Sequence, residues 1–154
     1  MNSANITAAF NPNIEESKEF CEKYHVPVCT VKLEELYENC NAVYIASPHY
    51  THYEYVKSAL TNGKHVLCET PLVFAKEQAE ELYGLAEKMN LILMVALKTA
   101  YTPAFGHLFS LLKSRVIGDI VEVNASVTTL TDESSEKLDS KRIGGSMSEN
   151  ACFP

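Results

Sequence analysis

Two linked stretches decide how this 154-residue chain is read: Asn41-Ala42-Val43-Tyr44-Ile45-Ala46-Ser47-Pro48-His49 and Gly63-Lys64-His65-Val66-Leu67-Cys68-Glu69-Thr70-Pro71. Each is a short apolar run closed by a proline, and the segment 50–62 between them is amphipathic. The pattern predicts strand, turn, helix, strand, turn. Gly63 stands just past the helix end, where a left-handed backbone favours glycine. Both prolines then fall at the carboxyl ends of strands, where open α/β sheets place their chemistry.

The same alternation extends outward in both directions. Ile6–Phe10 reads as a buried strand, closed by Asn11-Pro12-Asn13. Asn13 with Glu16, and later Thr51 with Glu54, have the spacing of capping boxes. Ile14, Ser17, Cys21 and Tyr24 recur at helical spacing until Pro27, and Val28–Val31 is a minimal strand. Leu33, Leu36, Tyr37 and Cys40 mark a short helix before the strand Ala42–Ala46. After the strand His65–Cys68, Ala79, Leu82, Leu85, Ala86 and Met89 predict a long helix ending near Asn90, and Leu91–Leu97 a further buried strand. Strands alternating with helices predict a parallel, doubly wound sheet.

Beyond residue 100 the character changes. Pro103 opens a helix bearing Phe105, Leu108, Phe109 and Leu112, and Gly118-Asp119 turns the chain. Ile120–Leu130 then alternates, with Val121, Val123, Ala125 and Val127 on one face and Glu122, Asn124, Ser126 and Thr128 on the other. That is the pattern of a half-exposed strand in an antiparallel sheet. We expect residues 1–100 to form one domain, and 101–154 to be a linker helix with the first part of an α+β domain.

A net charge of −7 with scattered lysines and arginines argues against nucleic acid as a partner. The longest apolar run, Leu91–Leu97, is far too short to span a bilayer, and no signal peptide is visible, so a cytoplasmic protein is expected. The five cysteines (Cys21, Cys29, Cys40, Cys68 and Cys152) show neither metal-ligand spacing nor an even count. Reduced thiols acting as small hydrophobes, and no metal, are expected.

The residues from Asn41 to Pro71 resemble the Gfo/Idh/MocA family of nicotinamide-dependent oxidoreductases, typified by glucose-fructose oxidoreductase and inositol 2-dehydrogenase. Ser47-Pro48 closes a strand, His52 lies nearby, and Gly63–Pro71 follows the family's Gly-Lys-His-Val-Leu-Cys-Glu-Lys-Pro. Ile6–Asn13 resembles the family's second Rossmann strand, and Ile117-Gly118-Asp119-Ile120 the entry to its second domain. Gly144–Pro154 resembles the glycine-rich segment before its later catalytic motif. The resemblance implies an α/β, Rossmann-type sheet, NAD or NADP as cofactor and, ancestrally, a sugar or polyol substrate. It places Asn11, Ser47, Pro48, His49, His52, Glu69 and Pro71 around the cofactor.

Four departures bear on activity. No glycine precedes Gly63, so the G-x-G-x-x-G loop whose amides hold pyrophosphate is lacking. The resemblance therefore implies that a unit of about 30 residues, with the sheet's first strand, is missing. Asn11 stands where the family often has a ribose-binding acid. Thr70 replaces the lysine of Glu-Lys-Pro, and loss of a positioned acid–base group costs roughly 10²–10⁴ in rate. Glu149 fits the later acid, but Phe153 occupies the position of a proton-carrying His or Tyr. Lys98, ending the last Rossmann strand, is the surviving lysine best placed to reach the rim. The resemblance thus implies either a catalytically impaired oxidoreductase or a scaffold kept for assembly or weak nucleotide binding. A central strand cannot be lost without leaving ladders unpaired. Either Ile6–Phe10 moves beside Ala42–Ala46, or a second chain completes the sheet in a homodimer by strand addition or domain swap.

Overall fold

The structure is a computed structural model, and it describes residues 4–128 and residue 130. Five strands alternate with helices: β1 (Ala8–Phe10), α1 (Ile14–Tyr24), β2 (Val28–Thr30), α2 (Leu33–Glu38), β3 (Ala42–Ile45), α3 (His52–Thr61), β4 (His65–Cys68), α4 (Lys76–Lys88), β5 (Leu93–Val95) and α5 (Pro103–Lys113). Single 3-10 turns, His49–Thr51 and Lys98–Tyr101, precede α3 and α5. All ladders are parallel, as the alternation predicts. β1 pairs with β2, and β3, β4 and β5 form a second ladder in that order.

Helix ends follow from particular residues. Asn13 caps α1 by accepting from the amide of Glu15 at 3.0 Å. Gly63, at φ 73°, carries the chain out of α3; its amide donates to Leu60 and that of Lys64 to Ala59, the two bonds of a Schellman motif. Asn90, at φ 53°, closes α4 in the same way, with Leu91 donating to Ala86 and Asn90 to Glu87. The two expected capping boxes do not form. Glu16 bonds the side chains of Asn11 and Asn13, and Thr51 donates to the Pro48 carbonyl at 2.7 Å inside the 3-10 turn.

The main core lies between one face of β3–β5 and α3 and α4. Ile45, Val66, Cys68 and Leu93 pack there against Val56, Leu60 and Leu82. Val56, Leu60 and Leu82 are fully buried, each contributing on the order of 1.5–3 kcal/mol of apolar burial. Lys57 and Tyr53 of α3 both bind the Glu81 carboxylate of α4, at 2.7 and 2.6 Å, and clasp the two helices at the surface.

Four expectations are corrected. First, β1 does not move beside β3, and neither strand pairs with the other among the described residues. Side chains hold the units together instead: Phe10 packs edge-on against Tyr55 of α3, and Thr7 donates to the Asn39 carbonyl at 2.5 Å. Second, the described part of Ile120–Leu130 forms no strand. Alternation alone cannot make one: a strand exists by pairing, and Val121 and Val123 are exposed with no ladder beside them. Third, Cys21 and Cys29 are joined, with Cα atoms 6.2 Å apart, because α1 folds back over β2; Cys40 and Cys68 are free thiols, and Cys152 lies outside the described residues. Fourth, among the described residues no element covers the second face of β3–β5. Tyr44, Leu67 and Met94, aligned in register across the three strands, are 57%, 39% and 39% exposed.

Candidate functional site

The carboxyl ends of β3, β4 and β5 form one rim. It is fastened by backbone bonds: the Glu69 amide donates to the Ile45 carbonyl at 2.9 Å, and the Ala96 amide to that of Cys68 at 2.8 Å. Each strand therefore delivers its following residues to the same place, Ser47-Pro48-His49 from β3, Glu69-Thr70-Pro71 from β4 and Ala96–Lys98 from β5.

His52 organises the first two of these turns. Its Nε2 lies 2.9 Å from the Ser47 carbonyl and its Nδ1 2.8 Å from the Pro71 carbonyl. A neutral ring can donate to one of these acceptors and a doubly protonated ring to both. The ring is fully buried. Its contacts run to the two turns, which it ties together. Ser47 adds a 2.6 Å hydroxyl contact with Thr51, and the His49 ring packs against those of His52 and Phe74.

Thr70 is buried, behind a cis bond to Pro71, so at the place of the family's lysine the rim presents neither charge nor an exposed hydroxyl. Cys68 is also fully buried, and burial pushes its thiol up to about 12, which makes it core rather than nucleophile. Glu69 is partly exposed and faces outward. Its Oε1 accepts the Tyr44 hydroxyl, and that hydrogen bond, above all, pushes the phenol up to about 12. Lys98 Nζ lies 4.0 Å from the same oxygen. At 80% exposure that ion pair is worth well under about 1 kcal/mol, so it marks a place for the ammonium without fixing it.

These three polar groups stand at one end of an open cavity of about 660 Å³. Leu67, Met94 and Ala96, on the exposed sheet face, line it together with Val95 and Tyr101. Sequence reasoning missed Tyr44. The available signal was its place in β3, offset by one residue from Val43 and Ile45 and so on the opposite face.

Asn11 lies on the other ladder, just beyond β1. Its side chain accepts from the Asn13 amide at 2.8 Å and donates to Glu16 at 2.9 Å, so both its polar ends serve the start of α1. Glu149 and Phe153 lie outside the described residues. Among the described residues no group of His, Cys, Asp and Glu is arranged to hold a metal ion. None of their helices is long and apolar enough to cross a membrane. For a nicotinamide dinucleotide the fit is partial. The rim offers the accessible edge of Pro48, His49 and Glu69, but no glycine precedes Gly63 to let backbone amides close around a pyrophosphate.

Comparison with known proteins bears on this arrangement. Residues 1–97 match the oxidoreductase family with an NAD-binding Rossmann fold known as Gfo/Idh/MocA. The chain is 28% identical over 150 residues to a trans-1,2-dihydrobenzene-1,2-diol dehydrogenase of Xenopus laevis, covering 96% of this chain and 46% of that protein. It is 35% identical over 105 residues to scyllo-inositol 2-dehydrogenase (NADP(+)) of Bacillus subtilis, covering 67% of this chain and 32% of the relative. A 3-ketoreductase from Actinomadura kijaniata, solved with NADP and TDP-benzene, superposes with a TM-score of 0.67 at 30% identity, covering 74% of this chain and 35% of the other. The chain thus spans less than half the length of each of these proteins. Its parallel strands, the rim they share and the match over residues 1–97 lead to one assignment: the chain belongs to the Gfo/Idh/MocA family of oxidoreductases.

Proposed function

We propose that this chain is the cofactor-side portion of an NAD(P)-dependent oxidoreductase acting on a hydroxylated ring, and that its acid–base chemistry is impaired. The ring is a sugar, a cyclitol such as inositol, or a dihydrodiol, the classes that the relatives' names carry. A bound nicotinamide would supply the hydride chemistry. The chain's own residues would orient the ring and move the hydroxyl proton. The observation that carries the impairment is Thr70, buried and uncharged where the family places lysine. Its hydroxyl cannot accept a proton near neutral pH. Lys98 and Glu69 remain as the rim's charged groups, on neighbouring strand ends.

The test is a fluorescence titration with NADH and NADPH, followed by turnover on a panel of polyols. Weak or absent binding with negligible turnover is expected. Tight, saturable binding and ordinary turnover by the unaltered chain would overturn the impairment.

A second reading is favoured by one observation: the edges of β1 and β3 carry no ladder to each other. Such edges invite strand addition. On this reading the scaffold serves as an assembly module, a homodimer completing its sheets across the interface. Light scattering across a concentration series tests it, and a stable monomer at high concentration would reject it.

A further inference from the structure

We propose that Cys21 and Cys29 form a reversible thiol–disulfide switch, which holds α1 on the β1–β2 ladder when oxidised and releases it when reduced.

The packing of α1 carries the proposal. Its large apolar side chains, Ile14, Phe20 and Tyr24, are all exposed. Its buried residues are Ser17 and Cys21. A serine and a thiol bury little apolar surface, so hydrophobic burial holds this helix weakly. Val26, in the connection after α1, adds one more buried apolar side chain. Two links join α1 to the ladder. Ser17 Oγ donates to the Ala9 carbonyl at 3.4 Å, near the long limit of a hydrogen bond. Cys21 is bonded to Cys29, the middle residue of β2.

The ladder itself has little other support. It spans three residue pairs, and among the described residues it pairs with no other strand. A two-stranded ladder alone is marginal in water. Strands β3–β5 instead keep their own core with α3 and α4, whatever the state of these sulfurs. The bond therefore sits where one covalent link governs the order of residues 8–30 and leaves the main core alone. The cluster in which the Asn11 and Asn13 side chains donate to Glu16 belongs to the start of α1 and is released with it.

Exchange with a low-molecular-weight thiol such as glutathione balances the step. Cys29 is half-buried and Cys21 is 3% exposed, so Cys29 is reached first. A glutathione thiolate attacks Cys29 Sγ, the protein disulfide breaks, and Cys21 leaves as a thiolate that takes up a proton. A second glutathione thiolate attacks the glutathione sulfur of the mixed disulfide, and Cys29 leaves in the same way. The protein gains two electrons and two protons, and one glutathione disulfide forms. Glutathione disulfide drives the reverse sequence. Cys40 and Cys68 compete poorly in this exchange, because burial pushes both thiols up.

The experiment equilibrates the full chain in glutathione buffers running from reducing to oxidising. Thiols are trapped by alkylation and mapped by mass spectrometry, and amide hydrogen exchange is read on the same samples. Cys21 and Cys29 are expected to pass together from alkylated to bonded, and to return when the ratio is reversed. On reduction, exchange of the α1 amides should speed up by roughly 10–100-fold, the scale set by closing a short loop. Amides of β4, α3 and α4 should be unmoved. Cys29→Ser should exchange like the reduced chain in every buffer, and Cys40→Ser like the parent.

A bond that resists about 10 mM glutathione in the native chain would overturn the proposal and make the pair a fixed staple. So would a pair that glutathione disulfide never closes, or either cysteine bonding to Cys152 instead. Equal exchange of α1 in the two states would overturn it, and so would equal speeding of α1 and β4, which would mean a general loss of stability. If Cys29→Ser does not fold, the reduced and oxidised parent chains carry the same comparison.

Discussion

Replacing His52 by leucine should unfasten the rim, and the size of the effect can be worked from its two contacts. The imidazole lies 2.8 Å from the Pro71 carbonyl and 2.9 Å from that of Ser47, and it is fully buried. Leucine fills most of the same space, so little cavity is added. A neutral ring donates to one of the two carbonyls, so what is lost is one hydrogen bond, about 1–3 kcal/mol when its acceptor is left unmet away from water. Ser47 and Pro71 are themselves half-buried, so water can reach part of each group, and the cost is best set at about 1–2 kcal/mol. With a urea slope of about 1–3 kcal/mol per molar, the unfolding midpoint should fall by roughly 0.5–1 M at an unchanged slope. His52→Gln, able to keep that bond, should lose less than half as much. Circular dichroism through a urea series reads both. A leucine variant within about 0.5 kcal/mol of the parent, the usual range of surface changes, would refute the claim that this ring holds the two turns.

Further expectations concern the rim and the helix ends. Thr70→Lys should raise NAD(P)-linked turnover by up to roughly 10²–10⁴, its long stem carrying the ammonium out from a buried backbone position; unchanged turnover in a folded variant would remove the lysine's absence as the cause of impairment. The Tyr44 phenol, held at about 12 against its ordinary 10.0, should titrate lower in Glu69→Gln, read by tyrosinate absorbance. Because that folded-state value is raised, the unfolded chain loses its proton first, so stability should fall as pH rises from about 10 towards 12 and the fall should shrink in Glu69→Gln. Gly63→Ala should cost about 1–2 kcal/mol: φ is 73° and nothing lies within 4 Å of an added Cβ, so the whole cost is backbone conformation. Asn90→Gly, at φ 53°, should be neutral or slightly stabilising, and the same urea series reads both helix-end variants.

How much of this was legible in the sequence depended on the range of the interaction involved. β4 forms over His65–Cys68 as expected, because it is the middle strand of its ladder and an apolar run bounded by Gly63 and Pro71 leaves no other choice. The end of α4 near Asn90 was legible for a local reason, a residue that tolerates a left-handed backbone. The strand expected over Ile120–Leu130 failed because alternation states which face would be buried and not what would bury it. The capping role read for Thr51 failed for a related reason: a 3-10 turn over His49–Thr51 delays α3, and Thr51 turns back to Pro48.

The site was divided along the same line. Ser47, Pro48, Glu69 and Pro71 could be placed on one rim from strand ends alone. The work of His52 could not, since one of its two partners lies 19 residues away and both are backbone atoms. The cavity was hidden by an assumption that usually holds, that strands of a parallel sheet are buried on both faces. Under that assumption Tyr44, Leu67 and Met94 are merely core. With no described element over that face, the same three residues become an exposed apolar lining and a hydrogen-bonded phenol beside Glu69. Any structure that covered the face would therefore change the chemistry of the rim as well as its exposure. It would remove Leu67 and Met94 as a surface for a ring and leave Glu69, Tyr44 and Lys98 as a polar edge.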